Sequence, residues 1–169
     1  RLKENALRIK FEDTSTGAFP GGDWQLTIND LDSGGQDRFS IENTTLGRVP
    51  FTVAGSAPNN TLYLDSTGNV GLGTAVPVLD LSLRATDTPA IRLEQSGAGG
   101  FTPQTWDIGA NEASFFVRDV TAGSRLPFRI LPGAPSNSLR IQGNGNIGIG
   151  TDVPQAKLHV AGDAYVAGT

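Results

Sequence analysis

At 169 residues with 22 glycines, 10 prolines and no cysteine, the chain has room for one or two domains, and it holds neither a disulfide framework nor a thiolate metal site or nucleophile. Its formal net charge is −4, with 7 basic and 11 acidic residues in positions 1–88 and 6 of each in 89–169, so it carries no basic footprint for nucleic acid. No apolar run approaches the roughly 18 residues of a membrane-spanning helix and no signal peptide opens the sequence, which, lacking any methionine, reads as a processed or excised piece of a longer protein.

The elements follow from period-2 alternation. Residues 6–11 alternate apolar and basic side chains and predict a strand with Leu7, Ile9 and Phe11 facing inward. A Gly/Pro/Asp turn over 17–23 precedes a second strand, with Trp24, Leu26 and Ile28 on one face. Residues 29–37 read as a hairpin or wide loop. Phe39–Ile41 and Val49–Val53 are two further strands, and Pro50 places the latter at a sheet edge. After a turn at 57–60 come Thr61–Leu64, the glycine stretch Gly68-Asn-Val-Gly-Leu-Gly-Thr74, and, beyond Pro77, Leu79–Leu83. No stretch shows a capped helical period, so almost no helix is expected.

The second half repeats the first. Ala90–Leu93 aligns with Ala6–Ile9, Trp106 with Trp24, and Phe115–Val117 with Phe39–Ile41. From Pro50 to Leu83 and from Pro127 to Val160 the copies align without a gap at an offset of 77, and 14 of the 34 positions are identical. The chain therefore divides at 1–83 and 84–169. Each unit is expected to be a small β-sandwich or partial barrel followed by a glycine-rich collar, with 161–169 as a linker.

The collars are Gly68, Val70, Gly71, Leu72 and Gly73, and again Gly145, Ile147, Gly148, Ile149 and Gly150. In an extended chain the apolar residues line one face and the other is bare backbone, the pattern of a tight bend or of another backbone passing close by. Neighbouring chains around a symmetry axis are the expected source of that backbone. Burying each such Val or Ile would contribute about 2 kcal/mol.

These segments, extended to Pro77 and to Val160, resemble the repeat of phage tail-fibre and bacterial surface-fibre proteins, and residues 105–130 are similar to the sandwich segment that precedes it there. The resemblance implies an elongated parallel homotrimer, outside the cell on a virion tail or a bacterial surface, that spaces and presents a tip for a receptor or surface glycan. Residues 162–169 are similar to the stretch upstream of an endosialidase-type intramolecular chaperone. That chaperone's Ser and Lys are not in this sequence, so no catalytic role carries over.

Other chemistry finds little footing. The Gly-x-Gly pairs lack the third glycine, the helix and the lysine of a phosphate loop. Asp30, Asp32 and Asp37 begin like a calcium loop, but position five is Gly34 and position twelve Ile41; a solvated turn is the reading preferred, with no metal and no cofactor expected. His159 is the single histidine and falls opposite Leu158 and Val160, without a nucleophile elbow anywhere. A polysaccharide-cleaving carboxylate pair would draw on Asp23, Asp30, Asp32, Asp37 and Glu42, but no motif singles one out. Trp24 and Trp106 are read as packing aromatics rather than sugar platforms. The expected role is a structural fibre segment and not an enzyme; the alternatives are a polysaccharide-degrading tailspike fragment and a monomeric carbohydrate-binding module.

Overall fold

The computed structural model describes residues 7–16, 21–30 and 36–168. The chain is all-β: fourteen strands and no helix stand among the described residues. It divides into two compact units, Arg1–Ser82 and Leu83–Thr169.

In the first unit, β1 (Leu7–Phe11), β2 (Trp24–Asp30), β3 (Gln36–Asn43) and β4 (Arg48–Ala54) form an antiparallel meander in sequence order. Register puts Ile9, Leu26, Ile41 and Phe51 in one cross-strand row and Leu7, Ile28, Phe39 and Val53 in the next. One face is thus apolar over these two rows, its next row running Phe11, Trp24, Asn43 and Arg48, and the other face carries Arg8, Lys10, Gln25, Thr27, Ser40 and Glu42. Pro50 lies on the edge strand within a bulge, between the pairs Ile41–Phe51 and Asn43–Arg48, where its missing N–H breaks no ladder bond. β5 (Tyr63–Leu64), β6 (Val70–Leu72) and β7 (Leu81–Leu83) make a three-stranded sheet with β6 central.

In the second unit, β8 (Ala90–Gln95), β9 (Gln104–Ala110), β10 (Phe115–Asp119) and β11 (Arg125–Ile130) form the corresponding meander. Ile91, Ile108, Val117 and Phe128 make a row on its apolar face, and Pro127 occupies the edge-strand bulge. β12 (Arg140–Ile141), β13 (Ile147–Ile149) and β14 (Leu158–Val160) complete the unit, β13 pairing antiparallel with β12 and parallel with β14.

Two expectations change. Trp24 pairs with Phe11, and Trp106 with Leu93. The counterpart of Leu93 is therefore Phe11, not Ile9, a two-residue shift that keeps every side chain on its face because the strand period is two. The units also hold single four-stranded sheets where sandwich-like units were expected. No second layer lies over the apolar faces among the described residues: Ile9 is 48% exposed, Phe11 56% and Phe128 40%.

Candidate assembly surface

The apolar faces follow from strict alternation, since every second residue of a strand must point the same way. On β1–β4 that face presents Leu7, Ile9, Phe11, Trp24, Leu26, Ile28, Phe39, Ile41, Phe51 and Val53, with Phe39 and Phe51 edge to face at a centroid separation of 6.3 Å. A groove of about 760 Å³ runs along it past Phe39, Phe51, Val53 and Leu62. Both tryptophans lie on these faces, Trp24 in β2 and the half-buried Trp106 in β9, neither inside a core. Phe115 and Phe116 point to opposite faces, as adjacent strand residues do: Phe115 is exposed on the apolar side, and Phe116 is the one large apolar side chain buried among the described residues.

The polar faces are closed instead. Arg92 donates Nε to Asp107 Oδ1 at 2.8 Å and Nη2 to Oδ2 at 3.1 Å. Arg118 approaches the same carboxylate at 3.7 Å and lies 4.8 Å from the Phe116 ring centroid, a cation over an aromatic face. The hydrogen bonds from Arg92 hold the Asp107 carboxyl below its ordinary range. At the matching place in the first unit, Ser40 Oγ and Gln25 Nε2 each donate to Glu42 at 2.6 Å, and the Ser40 bond leads in holding that carboxyl low as well. Thr27 and Ser40 are fully buried on this polar side. Long polar side chains laid across small ones cover it, the inverse of the expected apolar-in, polar-out arrangement.

The collars are built differently from expectation. Residues 150–157 connect the parallel strands β13 and β14, shorter than the dozen or so that such a crossover usually takes. Gly150 turns the chain with φ +71°, Thr151 Oγ1 accepts from Val153 N–H, and Asn146 Nδ2 donates to the Pro154 carbonyl. This folds the connection onto the bare face of β13, where a Cβ on Gly148 would meet the Thr151 carbonyl oxygen at 2.6 Å. In the first unit Gly73 has φ +76°, Thr74 Oγ1 accepts from Val76 N–H, and a Cβ on Gly71 would lie 2.2 Å from the Thr74 carbonyl oxygen. The backbone that requires glycine is therefore the chain's own loop and not a neighbouring chain. Gly68 and Gly145, at φ +95° and +79°, shape the turns that enter the central strands. Val70 and Leu72 are half-buried on the opposite face, and Ile147 and Ile149 are 36% and 38% exposed.

The remaining candidates do not converge. Asp32, Gly34 and Gly35 of the possible calcium loop lie outside the described residues, and among the described residues no three His, Asp or Glu side chains gather as a metal site. Asp23 Oδ1 accepts from Asp13 N–H and its Oδ2 lies 3.6 Å from Lys10 Nζ, while Glu42 is held ionised on the polar face, the opposite of a general acid's tuning. His159 Nδ1 accepts from Gln155 N–H at 3.4 Å. Sequence reasoning singled out the collars and missed the sheet faces as the exposed surface, although the alternation that makes them was read. Compared with models of known protein families and with curated proteins, the chain matches none.

Proposed function

We propose that this chain is a structural segment of an extracellular fibre, on a phage tail or a bacterial surface, which assembles as a parallel homotrimer of two tandem units and spaces or presents a receptor- or glycan-binding tip. One observation carries the reading: the chain leaves its apolar surface uncovered. It exposes 13001 Å², whereas a compact protein of this mass exposes about 7,900 Å² and two separate compact units of half the mass about 9,600 Å² together. With Phe116 as the single large apolar side chain buried among the described residues, burial within the chain falls far short of what offsets the entropy of ordering it. Association supplies the missing burial, and cyclic symmetry closes it without runaway growth. The choice of three copies, and of a fibre, rests on the resemblance of the glycine stretches to fibre repeats. The chemistry of such a segment is mechanical, and its partner is first of all itself.

Light scattering behind a sizing column, across a dilution series, tests this. A species of three times the chain's 17.7 kDa that persists on dilution is the expected result. A 17.7 kDa monomer with these faces solvated would overturn it and favour a monomeric sugar-binding module.

A further inference from the structure

Three surfaces compete to join the copies: the collar strands, the open edges of the four-stranded sheets, and their apolar faces. The collars have lost half their claim. Their bare glycine faces are filled by residues of the same chain, at Thr74 and Thr151, which leaves two apolar side chains per collar on the other side. One edge of each sheet is blunted, the other being β1 or β8. β4 and β11 carry Pro50 and Pro127 inside bulges, so each lacks a donor at the point where an added strand would seek one, and the bulge twists the edge away from a flat partner.

The faces have no such obstruction. On β1–β4 the rows through Ile9, Leu26, Ile41 and Phe51 and through Leu7, Ile28, Phe39 and Val53 contain no charged residue. The charges of the two sheets lie at the end of the apolar face, where Arg48 follows Trp24 and Asn43 and where Asp119 and Arg125 follow Leu93 and Trp106, or on the far side, where Arg38 stands 3.9 Å from Glu42 and Arg92 2.8 Å from Asp107. The quantity of surface agrees. The 13001 Å² that the chain exposes exceeds two compact units by about 3,400 Å², so the surface these faces contribute to it leaves room for an interface of the standard size, roughly 800 Å² per partner.

We propose that copies of this chain are joined face to face through the apolar faces of the β1–β4 and β8–β11 sheets, with the polar faces and the proline-marked edges outside. This rests on the self-assembling fibre reading and adds where the seam lies: each four-stranded sheet is one wall of a core completed by the other copies, in the manner of packed sheets whose inner faces interdigitate.

The absence of cysteine makes the seam directly measurable. Val53 and Thr52 are neighbours in β4 on opposite faces, as are Ile130 and Arg129 in β11, and all four are exposed in the single chain. Four variants of the full chain, Val53→Cys, Thr52→Cys, Ile130→Cys and Arg129→Cys, are first sized and then labelled with a maleimide in the native state. Thr52→Cys and Arg129→Cys are expected to react as free surface thiols do. Val53→Cys and Ile130→Cys are expected to react slower by on the order of 100-fold or more, recovering full reactivity in denaturant. An oligomer in which Val53→Cys and Ile130→Cys label as fast as their neighbours overturns the seam while the fibre reading stands. Monomers throughout, Thr52→Cys and Arg129→Cys included, overturn both, whether the Val53→Cys and Ile130→Cys thiols are reactive or protected within the chain. A Val53→Cys or Ile130→Cys variant that loses assembly outright, while Thr52→Cys and Arg129→Cys keep it, supports the seam.

Discussion

The carbonyl of Thr74 folds back over Gly71 so closely that a Cβ on that glycine would lie 2.2 Å from its oxygen. The same contact recurs between Gly148 and Thr151 at 2.6 Å. Both are backbone contacts, which cannot swing aside as the end of a side chain would. Gly71→Ala and Gly148→Ala are expected to lose about 3 kcal/mol or more, the upper range for inserting a methyl into filled space. Gly143→Ala, where an added Cβ meets nothing within 4 Å, should be neutral. Thermal unfolding of the three variants checks the contrast. Equal stability of all three would show that the loop does not rest on the glycine.

Phe116 and Phe115 separate the two kinds of burial. Phe116 is 2% exposed under Arg118 within its own unit, whereas Phe115 is 42% exposed on the apolar face. Phe116→Ala should cost roughly 3–5 kcal/mol, the usual range for emptying a core aromatic site. On the proposed seam, Phe115→Ala should instead act through assembly, raising the concentration at which the oligomer dissociates. Denaturant unfolding at several protein concentrations distinguishes them.

Asp107 sets part of the acid limit. Arg92 chiefly, with Arg118 behind it, holds the folded carboxyl below its unfolded value, so the stabilisation is present above the ordinary carboxylate range near pH ~3.9 and is lost as pH falls through the lower folded value. Wild-type melting temperature should therefore drop on acidification below about pH 4. Asp107→Asn should melt lower at neutral pH, with the gap to wild type narrowing as acid protonates Asp107. Scanning calorimetry from pH 7 to pH 3 would show it; a gap that widens in acid contradicts the assignment.

His159→Ala is the negative control. The imidazole makes one long contact, accepting from Gln155 N–H at 3.4 Å, and stands opposite Gly148 in the parallel pair. His159 is half-buried in β14, and its replacement should change stability by no more than about 1 kcal/mol, the net worth of a typical hydrogen bond. A larger loss in thermal unfolding would assign His159 a role in seating the Gly150–Lys157 connection.

Alternation along each strand was enough to read, from residues alone, the all-β class, the edge position of Pro50, the opposed rings of Phe115 and Phe116, and which side chains share a face, because a two-residue period is a local property of extended backbone. The offset of 77 between copies likewise marked equivalent turns, and the bond from Thr74 Oγ1 to Val76 N–H indeed recurs between Thr151 and Val153. What alternation cannot state is which face is covered, or by what. That depends on contacts distant in sequence: only the folded chain shows Arg118 lying over Phe116, Thr27 and Ser40 buried on the charged side, and Trp24 and Ile9 open on the other. The glycines teach the same lesson. Their spacing announced a backbone at close quarters, but the identity of that backbone, the chain's own Thr74 and Thr151, was decided by the path of a short connection, a parallel crossover in the second unit, that no local pattern encodes.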